Sequence, residues 1–117
     1  MNNVSLIGRL TSDPELRTTA NGTEVLTFTV AVDSSGKEKK TFFIDCVAWR
    51  HTAVFISRFF RKGEKIGITG EIQTRSFEDH NGSKRKVTEI LVTDVTFCEK
   101  KKDSVEFEEI DEDLPFD

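Results

Sequence analysis

The segment from Thr41 to Trp49 carries the residues best suited to chemistry. In a β-strand, successive side chains alternate between two faces. One face of this segment is uniformly apolar, as expected of a core, and reads Phe42, Ile44, Cys46, Ala48. The other face places two large aromatic rings beside a charged group and reads Phe43, Asp45, Val47, Trp49. This second face is predicted to be accessible to solvent, so its aromatic rings call for an explanation.

A third aromatic residue, Phe77, shares the polar face of a later segment with Arg75. Exposed rings can stack flat bases, at about 1–3 kcal/mol per base, and cations can neutralise phosphates. The rings could equally form an apolar contact between subunits, and alternation alone favours neither role over the other. The neighbouring cations favour stacking, and the candidates are Arg50, Arg75, Lys37, Lys39, Lys40, Lys84, Arg85 and Lys86.

The elements that must position these residues can be predicted from periodicity and turn signals. Strands are expected over Val4–Leu10, Val25–Val32, Thr41–Trp49, about Lys65–Phe77 and about Arg85–Phe97. Apolar residues at helical spacing predict a helix near Ala53–Lys62, with Gly63 as its C-terminal stop. Asn21-Gly22 predicts a type I′ hairpin turn, and Asp79-His80-Asn81-Gly82 predicts a second hairpin turn.

Five strands with one short helix between the third and fourth is the element order of an OB-fold, a partly open Greek-key barrel. The sequence therefore predicts an all-β domain over residues 1–99. Residues from Lys100 lose all periodicity and become highly charged. Such a segment cannot bury enough apolar surface to offset the entropy of ordering, so residues 100–117 are expected to form a disordered acidic tail.

The charge of the chain is divided between these two parts. The net charge is −4, yet all 17 Lys and Arg residues precede residue 103, against 13 of the 21 acids, which makes the body about +4. Residues 103–117 hold the other eight acids and no base. A basic body with an acidic tail suggests a nucleic-acid binder with an interaction tail, although acidic tails also aid solubility, and charge alone does not separate these roles.

The end of the tail combines acids with an apolar tip. Its residues are Asp111, Glu112, Asp113, Leu114, Pro115 and Phe116. The carboxylates can steer the segment to a basic patch, Phe116 can fill an apolar pocket, and Pro115 limits the entropy lost on docking. We therefore expect this tip to bind partner proteins.

Several classes of protein are disfavoured by the sequence. No catalytic constellation or nucleotide-binding fingerprint stands out, so an enzyme is not expected. His51 and His80 lack ligand-spaced companions, and neither Cys46 nor Cys98 belongs to a C-x-x-C pair, so neither a metal nor a cofactor is expected. The chain lacks an apolar run long enough to span a membrane and a recognisable signal peptide, which predicts a cytoplasmic location.

Several segments together make the chain resemble the bacterial single-stranded DNA-binding proteins, in the shorter form found in Gram-positive cells and mobile elements. The resemblance covers Asn2 to about Phe97. It is carried by Asn3–Leu10, Asp13–Arg17, Phe43–Arg50, Lys62-Gly63 and Gly70–Arg75, and by the acidic ending in Asp113-Leu114-Pro115-Phe116.

This resemblance implies an OB-fold that assembles into a homotetramer and wraps single-stranded DNA without sequence preference. It implies base stacking at Phe43, Trp49 and Phe77. It also implies protection of the strand and recruitment of replication, recombination and repair proteins by the tail, in the cytoplasm on nucleoid DNA. The alternative is an adaptor whose main role is recruitment through the tail. Three features depart from the family: the loop Asp33–Lys37 lacks an aromatic, the long linker rich in Gly, Gln and Pro is missing, and Asp117 follows Phe116.

Overall fold

A computed structural model describes residues 1–98. Its elements are β1 Val4–Leu10, β2 Arg17–Thr18, β3 Glu24–Asp33, β4 Thr41–Trp49, α1 Arg50–Phe59, β5 Lys65–Glu78 and β6 Lys84–Phe97. The five long strands lie within a few residues of the predicted ones, and the two-residue β2 adds a short edge to β3. The tail predicted over 100–117, with its partner-binding tip, lies outside the described residues.

The strands form one sheet in the order β1-β5-β6-β4-β3-β2, and an additional pairing between β1 and β3 closes it. β4 and β6 are parallel, whereas the other neighbouring pairs are antiparallel. The five long strands therefore form a closed barrel, with α1 between the third and fourth of them. This arrangement confirms the predicted OB-fold.

The barrel closes where β1 passes from β5 to β3, and Gly8 allows the close approach there. A Cβ atom on Gly8 would lie 2.7 Å from the Ala31 carbonyl oxygen and 3.0 Å from Val32 Cγ2. A side chain at this position would force the two strands apart. The closure therefore depends on a residue without a Cβ atom.

The barrel interior is filled by alternate side chains of the strands and covered by α1. Leu26, Val30 and Ala48 are completely buried, and Ala53 and Ile56 of α1 pack against them. At about 25 cal/mol per Å² of apolar surface, burial of this kind is the main term that stabilises the fold. The helix therefore completes the core.

The bounds of α1 differ from the prediction near Ala53–Lys62. The helix begins at Arg50, directly after β4, and the extended Phe60 ends it with φ −126° and ψ 148°. Phe60 leaves the helix because its ring is drawn into the core, where it is 1% exposed. Gly63 is therefore not the helix stop; it occupies the following turn with φ 85°, and its N–H donates to the Leu10 carbonyl at 2.8 Å.

The two Asn-Gly hairpins share one turn geometry, which differs from the type I′ turn predicted for the first. In the first hairpin, the Gly22 N–H donates to the Thr19 carbonyl at 2.9 Å. In the second, the Gly82 N–H donates to the Asp79 backbone carbonyl at 2.9 Å. Gly22 and Gly82 have positive φ, whereas the preceding asparagines do not. This pattern is a type I turn followed by a left-handed glycine, which joins strands through three-residue loops.

Phe42 and Ile72 both depart from the alternation of buried side chains along their strands. Phe42, predicted to lie in the core, is 50% exposed because it sits on the β3–β4 hairpin beyond the segment of β4 that pairs with β6. Ile72, which shares its face with Ile66 and Ile68, is 49% exposed, whereas those two are buried. Both residues lie on parts of the strands that extend past the packed interior.

Candidate nucleic-acid interface

Phe43 and Trp49 project from the outer side of β4, as predicted. Phe43 is 67% exposed and Trp49 is 41% exposed. Between them, Asp45 is exposed, and its carboxylate accepts a hydrogen bond from the Thr29 hydroxyl of β3 at 3.1 Å. Val47, predicted to share this accessible face, is only 4% exposed, so the face carries one buried residue between its aromatic rings.

Phe77 lies on β5, directly opposite Arg85 of β6. Its ring is 44% exposed, and the Arg75 guanidinium carbon lies 6.0 Å from the ring centroid. At this distance the cation is attracted by the electrons of the ring face. Phe77 and Arg75 therefore form one local unit on β5.

The strand register brings these aromatics onto one surface. Val47 of β4 pairs with Leu91 of β6, and Leu91 pairs with Glu71 of β5. Paired residues on neighbouring strands point to the same side, and so do alternate residues along each strand. Phe43, Trp49, Arg75, Phe77 and Arg85 therefore share one face of the sheet, which we call the aromatic face.

An open cleft of about 350 Å³ lies on the aromatic face. Its lining includes Thr27, Thr29, Asp45, Arg75, Val87 and Glu89. The cleft is therefore polar at its base, with aromatic residues on the strands that border it. Such a surface suits a ligand that offers both flat rings and hydrogen-bonding edges.

Glu89 lines the cleft, although the sequence pattern did not indicate it. It is 5% exposed, and its Oε2 accepts hydrogen bonds from Arg75 Nε at 2.9 Å and Gln73 Nε2 at 2.8 Å. A buried carboxylate needs such partners, because taking a charge out of water is costly. Glu89 therefore holds Arg75 in place beside Phe77. Glu89 is two residues from Val87 and four from Arg85 on β6, and this spacing alone could have placed it on the aromatic face.

The charges of the cleft also act on the barrel wall. Burial, followed by the negative charges of Asp45 and Glu89, raises the pKa of the Cys46 thiol to about 12. Cys46 is therefore a neutral core residue at physiological pH, as expected from the sequence. Cys98 is only partly buried.

Seven of the eight predicted cations fall into three groups. Arg75 and Arg85 lie on the aromatic face, and Arg85 Nε pairs with Asp79 Oδ2 at 2.9 Å. Lys84 and Lys86 pair with Glu78 and Ser76, so they point to the opposite side of the β5–β6 hairpin. The cations that precede Phe43 in the loop after β3 are Lys37, Lys39 and Lys40.

Asp79 is the anchor of the β5–β6 turn. Its carboxylate accepts hydrogen bonds from Arg85 and from the backbone N–H groups of Ser83 and Asn81. These bonds, that of Arg85 first, hold the pKa of Asp79 below its usual range. The turn is therefore best organised when Asp79 is ionised.

Arg50 has an unusual backbone conformation at the junction of β4 and α1. Its φ is +57°, in the left-handed region that non-glycine residues rarely occupy. This conformation lets the chain pass from the end of β4, at Trp49, directly into α1. It also places the Arg50 cation immediately after an aromatic of the aromatic face.

The described residues contain neither a metal cluster nor a membrane-spanning helix. Within residues 1–98, no three His, Cys, Asp or Glu side chains are placed to hold a metal ion. No helix in the same range is long and apolar enough to cross a membrane.

A model of the Single-strand binding protein family matches residues 1–98. The chain belongs to this family. The match covers every element of the barrel, including all the residues of the aromatic face. Membership agrees with the resemblance seen in the sequence.

Curated members of the Single-strand binding protein family are similar over most of this chain. The chain is 44% identical to "Single-stranded DNA-binding protein 2" of Listeria monocytogenes over 110 residues, which is 91% of this chain and 69% of that protein. It is 44% identical to "Single-stranded DNA-binding protein A" of Bacillus subtilis over 105 residues, which is 86% of this chain and 61% of that protein. The chain thus matches about two thirds of the length of these relatives.

Proposed function

We propose that this chain binds single-stranded DNA without sequence preference and protects it during replication, recombination and repair. The observation that carries the proposal is the aromatic face, where Phe43, Trp49 and Phe77 are all more than 40% exposed on one surface. The names of the curated relatives support the same ligand. The family consists of DNA-binding proteins rather than enzymes.

Stacking and charge have separate roles in this mechanism. Each ring can stack on a base, because every base has a flat π-face, and this contact is tolerant of sequence. The phosphates are neutralised by nearby cations: Lys37, Lys39 and Lys40 beside Phe43, Arg50 beside Trp49, and Arg85 beside Phe77. Lys84 and Lys86 lie on the other side of the hairpin, and we propose that they contact a strand that passes around its edge.

Trp49 fluorescence provides a direct test, since the chain has a single Trp. Oligo-dT should quench it, and the logarithm of the binding constant should fall linearly with the logarithm of the salt concentration, by about 0.7 per phosphate neutralised. Duplex DNA of equal length should compete poorly, because its bases are already stacked. Absence of quenching, or an RNA oligonucleotide that outcompetes matched DNA, would contradict the proposal.

Variants of Phe43 and Phe77 test the site itself, with Trp49 kept as the fluorescent reporter. Phe43→Ala and Phe77→Ala should each weaken binding by about 1–3 kcal/mol, the contribution of one stacked base. Phe59→Ala is the matched control, because Phe59 is a 40% exposed aromatic on α1, away from the aromatic face. An equal loss of affinity in the control would show that exposed aromatics matter only through stability.

We further propose that the chain works as a homotetramer, as its resemblance to the family implies. Exposed apolar residues outside the aromatic face, such as Ile7 at 57%, are available for subunit contacts. Light scattering after size exclusion should give four times the monomer mass. Trp49→Ala and Phe77→Ala should leave that mass unchanged. A monomeric Trp49 or Phe77 variant would assign that residue to an interface instead.

The acidic tip is proposed to recruit replication and repair proteins in the cytoplasm, on nucleoid DNA. The eight acids and absence of bases in residues 103–117 support a contact with basic partners. Deleting residues 111–117 should abolish capture of such proteins and leave DNA binding intact. If recruitment is the main role of the chain, this deletion should impair cells as severely as loss of the whole protein. Unchanged capture would exclude the tip as the contact.

A further inference from the structure

Asp45 is anomalous on a surface proposed to bind a polyanion. It lies on the aromatic face between two stacking residues, in the middle of β4. Its negative charge repels phosphates, so it weakens any purely electrostatic contact with DNA. A carboxylate in this position therefore calls for an interaction other than phosphate binding.

The hydrogen bonds of Asp45 leave much of its carboxylate available. Within residues 1–98, the Thr29 hydroxyl is its one hydrogen-bond partner, through Oδ1 at 3.1 Å. An ionised carboxylate has about four lone-pair sites for acceptance. The other carboxylate of the cleft, Glu89, is by contrast buried and bound to Arg75 and Gln73. Asp45 is thus the acceptor that the cleft presents to a ligand.

The distance to Phe43 brings a stacked base within reach of this carboxylate. Alternate residues on a strand lie about 7 Å apart, so a base stacked on the Phe43 ring can reach Asp45 with its edge. A carboxylate accepts a hydrogen bond from the exocyclic amino group of cytosine N4. Thymine offers a carbonyl oxygen at that position, which a carboxylate repels. The Asp45 carboxylate therefore interacts favourably with the edge of cytosine and unfavourably with the carbonyl of thymine.

We propose that Asp45 accepts a hydrogen bond from the amino group of a base stacked on Phe43, giving the chain a moderate preference for amino-bearing bases over thymine. The inference rests on the proposed single-strand binding. Stacking supplies the sequence-tolerant part of the affinity, and Asp45 adds a base-dependent part. A hydrogen bond of net worth about 0.5–1.5 kcal/mol corresponds to a preference of about twofold to tenfold at each such site.

Oligo-dC and oligo-dT of equal length give the cleanest comparison, because both are pyrimidines of similar size. They are titrated by Trp49 fluorescence at mildly alkaline pH, where oligo-dC stays single-stranded. The wild-type chain should bind oligo-dC more tightly than oligo-dT. Asp45→Asn should tighten binding to oligo-dT and reduce or reverse the preference, because the amide keeps an acceptor for Thr29 and adds a donor for the thymine carbonyl.

The ratio of the two affinities separates base reading from simple repulsion. Repulsion of phosphates acts equally on both oligonucleotides, so its removal leaves the ratio unchanged. Asp94→Asn is the charge-matched control, because Asp94 is exposed on β6 beside Thr69, which pairs with β1. It should leave the ratio at its wild-type value. Equal affinities in the wild type, or a ratio unchanged in Asp45→Asn, would overturn the inference while leaving single-strand binding intact. Absence of quenching by both oligonucleotides would instead refute the binding proposal.

Discussion

Replacing Arg75 with Gln should destabilise the fold, because it leaves the Glu89 carboxylate buried without its cation. Breaking a buried ion pair from one side costs about 3–5 kcal/mol when both partners are buried. Here the Glu89 side chain is 4% exposed but that of Arg75 is 52% exposed, so solvent screens part of the interaction. Gln73 also keeps its 2.8 Å hydrogen bond to Glu89. We therefore expect Arg75→Gln to lower the free energy of unfolding by about 1–3 kcal/mol.

The double variant Arg75→Gln/Glu89→Gln tests the reason for this loss. Removing the buried charge together with its partner should recover most of the stability, to within about 1 kcal/mol of the wild type. Urea unfolding at one fixed protein concentration measures both values, since any assembly of subunits makes stability depend on concentration. Lys40→Gln is the control, because its 3.6 Å pair with Glu38 is exposed on both sides and should contribute less than about 1 kcal/mol. A double variant as unstable as Arg75→Gln alone would refute the reasoning.

Three further predictions concern the backbone and the turn. Gly8→Ala should destabilise the barrel by about 1–3 kcal/mol in urea unfolding, since its Cβ would lie 2.7 Å from the Ala31 carbonyl oxygen; an unchanged midpoint would exclude that close approach. Arg50→Gly should relieve about 1–2 kcal/mol of left-handed backbone strain, partly offset by the greater entropy of glycine in the unfolded chain. The same variant should lower the slope of the logarithm of the DNA-binding constant against the logarithm of salt concentration by about 0.7, because one phosphate contact is lost. A destabilised Arg50→Gly variant would contradict the strain prediction. The lowered pKa of Asp79 means that its contribution to stability is present above the unfolded pKa of about 3.9 and is lost as pH falls through the folded value. The stability difference between the wild type and Asp79→Asn should therefore shrink on acidification, and a difference independent of pH would contradict this assignment.

Local patterns in the chain were enough to predict the barrel and the aromatics on its face. Alternation has a period of two in any strand, so the faces of Phe43 and Trp49 follow from their spacing alone. The same rule placed Phe77 with Arg75 on β5. The order of strands and helix predicted the OB-fold, because few arrangements of five strands and one helix close a barrel.

Local patterns failed where burial or conformation depends on distant parts of the chain. Phe42 alternates with the core residues of β4, but the hairpin that carries it extends past the strand pairing that would cover it. A β-bulge at Thr93 likewise changes the alternation along β6, since Thr69 pairs with Asp94 whereas Gly70 pairs with Val92. The extra residue is a property of the pairing, and it leaves no mark in a single strand's sequence.

The sequence by itself determined which residues could stack, which could carry charge, and which segments would form strands, because these properties depend on side-chain type and on a short-range period. The tertiary structure decided which of them share a surface. Register across β4, β6 and β5 brought Phe43, Trp49 and Phe77 together and placed Lys84 and Lys86 on the opposite side of the hairpin. The register of β5 against β6 also brought Glu89 to Arg75, which lies 14 residues earlier in the sequence.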